Sequence, residues 1–87
     1  MMRTPRQIEI DRCLLLALAS IPEEYLHRDA TLRADICRCV DPVPTMAEID
    51  AAIRHADTRR RITGILTEDG FKWKIADAGR AWLAENP

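Results

Sequence analysis

The side chains able to do chemistry are His27 and His55, the three cysteines Cys13, Cys37 and Cys39, and a knot of Arg59, Arg60 and Arg61 inside the stretch IRHADTRRRITG at 53–64. A zinc site presents its nitrogen and sulfur ligands at short, recognisable spacings, and none is spelled here, so no metal or other cofactor is expected. A catalytic pair needs a nucleophile beside a base, and neither histidine has such a partner at a suggestive spacing. With no phosphate-binding loop either, the chain is read as not an enzyme. Three cysteines are an odd number without a disulfide framework, which implies free buried thiols in a reducing compartment. The remaining chemistry is electrostatic: arginines that grip an anion such as DNA, or that close a helix and keep the protein soluble.

Those arginines sit in a chain of 87 residues with 47% hydrophobic and 31% charged residues and a net charge of −1. The length fits one domain spanning 1–87, and the composition is that of a folded globule. The longest apolar run, Cys13 to Ala19, is only seven residues long, far below the roughly 20 needed to cross a bilayer. No basic-then-apolar leader is read at the N-terminus, so a cytoplasmic protein with no membrane partner is expected. The charge is uneven. Residues 54–74 carry a balance of +3 and the rest −4, with the first half, 1–53, holding six basic against nine acidic residues. A pI near 6.1 argues against a nucleic-acid binder, whereas this dipolar layout argues for one.

Five elements must position these charges. Thr4-Pro5-Arg6-Gln7 caps and opens a first helix over about 5–20, which Pro22 ends. Its second half is apolar nearly all round, which fits a buried central helix, with a homodimer contact as the alternative. Arg3, Arg6 and Arg12 alternate with Glu9 and Asp11 as a solvated face. Glu23 to Asp29 is read as a connector from which Tyr25 and Leu26 reach into the core. A second helix fits about 31–39 on the spacing of Leu32, Ile36 and Cys39 or Val40. After the breaker Asp41-Pro42-Val43-Pro44, Thr45-Met46-Ala47-Glu48 spells a capping box for a third helix over about 45–60. At 100° per residue, Ile49, Ala52, Ile53 and Ala56 form its core stripe, and Ala47, Ala51, Arg54 and Thr58 the outward one. Arg60 falls near the core stripe, so either the helix unwinds before it or its stem snorkels. Two β-rich runs joined at Glu68-Asp69-Gly70 make a hairpin over about 62–75, with Phe71, Trp73 and Ile75 on its apolar face and Lys72 and Lys74 on the other. A short helix over about 77–85, capped by Asp77, closes the chain, with Trp82 and Leu83 sealing the core.

This order, with the capping box Thr45-Met46-Ala47-Glu48-Ile49, the run from Arg59 into Ile62 and the ending Trp73-Lys74-Ile75-Ala76-Asp77-Ala78-Gly79-Arg80-Ala81-Trp82-Leu83, resembles the winged helix-turn-helix family of DNA-binding domains over nearly the whole chain. The ending is similar to the I-T-x-x-G-R-x-x-L segment after the wing in many bacterial members, and to small phage-type proteins. The resemblance implies an α+β, mainly helical fold: a three-helix core, a C-terminal β-hairpin wing and a short final helix. It implies a double-stranded DNA partner, a transcriptional or phage-type regulatory role, the third helix in the major groove and the hairpin on the backbone. Two departures stand out: Ala76 where those proteins often have Thr, and a longer, two-proline turn before the third helix.

On that reading Arg54 and Thr58 contact base edges or phosphates, Arg59 and Arg61 contact phosphates, and Lys72 and Lys74 are wing contacts. Each has a structural alternative. Arg54 and Thr58 can be plain solvated surface, the arginine triplet can serve helix-end electrostatics, and the lysines can discourage edge-to-edge association. The rival function is a winged-helix protein-interaction module, an adaptor or small mobile-element inhibitor that binds no DNA.

Overall fold

The computed structural model describes residues 2–22 and 24–87. Along the chain run α1 (Pro5–Ala19), β1 (His27–Arg28), α2 (Asp29–Cys39), α3 (Met46–Thr58), β2 (Ile62–Thr67), β3 (Gly70–Ile75) and α4 (Asp77–Glu85). The strands form one antiparallel sheet in the order β1-β3-β2. The protein is thus α+β and mainly helical.

Local chemistry fixes the starts of α1 and α3. Thr4 Oγ1 accepts from the Gln7 N–H while Gln7 Oε1 accepts from the Thr4 N–H, and Pro5 takes the first helical position. Thr45 and Glu48 repeat this reciprocal pairing at α3. Each box satisfies two backbone donors that no helical carbonyl can reach. The helices then bury their apolar stripes on one core: Leu14, Leu15 and Leu18 of α1, Leu32 and Ile36 of α2, Ile49 and Ile53 of α3. Ile62, Trp73 and Ile75 close it from the sheet, with Trp82 and Leu83 packed at its edge. Fully burying a side chain of this size contributes about 1.5–3 kcal/mol.

The connector is where sequence expectation and structure part. Glu23 lies outside the described residues. His27 and Arg28 form a strand, with His27 opposite Trp73 and Arg28 opposite Lys72. The second helix therefore begins at Asp29, directly after the strand, rather than at Thr31. Tyr25 is 63% exposed and does not reach the core. Later in the chain, α4 is not capped by Asp77. Ala76, extended at φ −103°, is the cap residue, its carbonyl accepting from Gly79 and Arg80 while its N–H donates to the Arg61 carbonyl at 2.8 Å. Asp77 is the first helical residue, where its charge suits the helix N-terminus.

The cysteines also depart from expectation. Cys13 of α1 and Cys39 at the end of α2 are joined by a disulfide, their Cα atoms 6.0 Å apart, and only Cys37 is a free thiol. The bond spans two helices that pack side by side, so its geometry arises from tertiary contact and leaves no mark in cysteine spacing. It also removes the support that the cysteines lent to a reducing compartment. Among the described residues, no helix is long and apolar enough to cross a membrane.

Candidate nucleic-acid interface

The two stripes of α3 separate as the periodicity requires: Ile49, Ala52, Ile53 and Ala56 are buried, while Ala47, Ala51, Arg54 and Thr58 are exposed. The outward ridge is narrow and low, with two alanines leading to one arginine and one threonine. Its flanking carboxylates are drawn aside by neighbouring helices. Arg6 of α1 holds Glu48, with Nε 2.7 Å from Oε2, and Arg33 of α2 holds Asp50 at 2.6 Å. The Arg6 bond, with the Thr45 N–H, keeps the Glu48 carboxyl down at about 2. Asp57 is the exposed carboxylate that remains near Arg54.

A second network ties α3 to the hairpin. Trp73 Nε1 donates to Asp29 Oδ1 at 2.9 Å, Asp29 Oδ2 accepts from Arg33 Nε at 2.8 Å, and Arg33 continues to Asp50. Burial disfavours charge on Asp29, but the bonds from Trp73 and Arg33 outweigh it and hold the carboxyl below its usual range. Hairpin, α2 and α3 are thereby registered against one another through groups that are part-buried, where such bonds are stronger than in water.

Past Thr58 the chain leaves the helix through a left-handed residue. Arg60 has φ 58°, its N–H donates to the Asp57 carbonyl at 3.0 Å, and the Arg61 N–H reaches back to the Ala56 carbonyl at 2.9 Å. These two bonds are the Schellman closure, with an arginine in the position usually held by glycine. The helix thus stops at Thr58, two residues before the sequence-based estimate, and the turn sends the three arginines apart. Arg59 and Arg60 are exposed, whereas Arg61 is half-buried with its guanidinium carbon 5.1 Å from the centre of the Trp82 ring.

On the hairpin, Lys72 and Lys74 share the outer face with Thr63 and Ile65, their partners across the β2–β3 ladder, and Arg28 stands opposite Lys72 on β1. Lys72 is half-buried and reaches Asp69 at 3.8 Å, while Lys74 is exposed. The inner face is apolar, as its alternation implied, but its outer end overhangs the core: Leu66 is 75% exposed and its partner Phe71 43%.

The sequence-derived contact residues thus fall into three places. Arg54 and Thr58 lie on the α3 ridge, and Lys72 and Lys74 on the outer face of the sheet. Arg59 and Arg61 line a cleft of about 310 Å³ between α1, the end of α3 and α4. That cleft also holds His55, together with Arg3 and Asp11, whose charge alternation reads as a solvated face. Asp11 is in fact only 3% exposed and takes a two-pronged bond from Arg3, with Nε at 3.1 Å and Nη2 at 2.7 Å. Nothing in the alternation of Arg3, Glu9 and Asp11 marks this burial, because it is created by α3 and α4 packing over that flank of α1. No family model, curated protein or solved structure matches the chain.

Proposed function

We propose that this protein is a winged-helix domain that binds double-stranded DNA, with α3 as the major-groove helix and the β2–β3 hairpin on the backbone. Two features support the fold reading: the element order, and a third strand, β1, laid against the hairpin between the first two helices. The observation that carries the DNA reading is the α3 ridge itself. A slim helix face presents Arg54 and Thr58 while Glu48 is paired with Arg6 and Asp50 with Arg33, which it shares with Asp29. Small residues at Ala47 and Ala51 let such a helix approach base edges closely, and arginine is the commonest reader of guanine. Regulation of transcription or of a phage-type function would follow from such binding.

Fluorescence anisotropy with generic and random-sequence duplexes tests this. Binding should weaken steeply with salt, and Arg54→Ala should cost about 1–3 kcal/mol with an unchanged melting temperature. A flat titration at micromolar protein in low salt overturns the reading.

A second reading, a protein-docking winged helix, is favoured by Leu66 and Phe71, an exposed apolar pair at the hairpin tip where a DNA wing gains nothing from apolar surface. It requires no duplex binding, so the same titration separates the two.

A further inference from the structure

We propose that the cleft between α1, the end of α3 and α4 is a binding site for a small phosphate-bearing anion, gripped by Arg59 and Arg61 and distinct from the DNA-reading ridge. The cleft gathers three guanidinium groups, Arg3, Arg59 and Arg61, against the single carboxylate of Asp11, a balance of +2. Asp11 already spends both oxygens on Arg3. Among the described residues, Arg59 and Arg61 have no ion-pair partner. A phosphate carries a charge of about −1.5 to −2 at neutral pH and offers several acceptor oxygens, which matches this surplus better than a single carboxylate does. The concave site also suits a compact ligand, whereas backbone phosphates of a duplex are met on open ridges.

Two features preorganise the grip. Arg61 is laid on the face of Trp82, an arrangement that fixes a guanidinium while leaving its outer edge free to donate. The last carbonyls of α3 are closed by the Arg60 and Arg61 N–H groups, so those acceptors do not compete for the arginines. Burial, and after it the cations Arg3, Arg61 and Arg59, push His55 below its ordinary value against the pull of Asp11. Burial, and then Arg59 and Arg3, likewise lower Arg61 against Asp11. A bound dianion would offset the arginines' share of both shifts.

The test is an NMR titration of the intact protein, in phosphate-free buffer at constant ionic strength, with inorganic phosphate, a nucleoside 5′-monophosphate and chloride. Saturable shifts of the Arg59, Arg61 and His55 signals with a Kd of about 1 mM or tighter, together with a rise in the His55 pKa at saturation, are expected. Arg59→Ala, at an exposed position outside the core, should weaken binding about tenfold with an unchanged melting temperature, and Arg54→Ala should not change it. Tighter binding of the monophosphate identifies a phosphorylated metabolite, and equal binding identifies phosphate itself. Shifts equal to those with chloride, or indifference to Arg59→Ala, would overturn the proposal, leaving the arginines as neutralisers of helix ends. Because Arg54 carries the DNA reading and Arg59 this one, either can fail without the other.

Discussion

Breaking the Cys13–Cys39 bond should cost this domain a large share of its stability. The bond closes a loop with a sequence separation of 26, for which the chain-entropy relation gives about 12 cal/mol/K, or about 3.5 kcal/mol at 25 °C. A domain of 87 residues has roughly 4–13 kcal/mol in all. Its unfolding entropy, near 2.1 cal/mol/K per residue, converts the loss into a fall in melting temperature of about 20 °C. Thermal circular dichroism with and without reductant measures it, and the double variant Cys13→Ala with Cys39→Ser should melt where the reduced protein does. Cys37→Ala should keep the oxidised melting temperature, since Cys37 is outside the bond. Thiol titration of the unreduced, denatured chain should find one reactive group. Three reactive groups, or a reduced protein that melts within about 5 °C of the oxidised one, would refute the reasoning and leave α1 and α2 joined by packing alone.

Two further outcomes follow from local geometry. Arg60→Gly should raise the melting temperature, because an L-residue held at φ 58° pays roughly 1 kcal/mol that glycine avoids, less the greater freedom of glycine in the unfolded chain; a lowered melting temperature in a thermal scan would mean that the arginine side chain makes a compensating contact. Glu48 is held at about 2 against an ordinary 4.5, so its pairing with Arg6 stabilises the fold above pH 4.5 and is lost as pH falls towards 2; Glu48→Gln should flatten that part of a melting temperature against pH curve, and an unchanged acid limb would place the loss in other carboxylates.

What could be read in advance was whatever a few neighbouring residues decide. The Thr4 and Thr45 boxes, the outward stripe of α3 and the hairpin turn at Glu68-Asp69 depend on spacings of two to four residues, and each stands where local chemistry put it. Strand β1 depends on a partner 44 to 46 positions away, its two residues carrying no alternation of their own, and so it passed for a connector. Gly79 lies between these cases. As part of a familiar ending it could be noticed, but its reason is tertiary: a Cβ there would overlap the Arg61 carbonyl oxygen, the same atom that accepts the Ala76 N–H.

That contact also explains why the candidate sites divide as they do. The backbone of Arg61 is pinned on one side by α3, through the Ala56 carbonyl, and on the other by the start of α4. With its main chain fixed there, its side chain falls over Trp82 and away from the α3 ridge, taking the most conspicuous basic run in the sequence out of line with Arg54. The run of three arginines is therefore one feature in sequence and three in space: Arg59 at the cleft mouth, Arg60 spent on a left-handed turn, and Arg61 stacked inside. Net charge misleads for a related reason. Asp11 pairs with Arg3 and Glu48 with Arg6, while Asp29 and Asp50 share Arg33. What a ligand meets along the ridge and the cleft is set by the cations left over, not by the −1 of the whole chain.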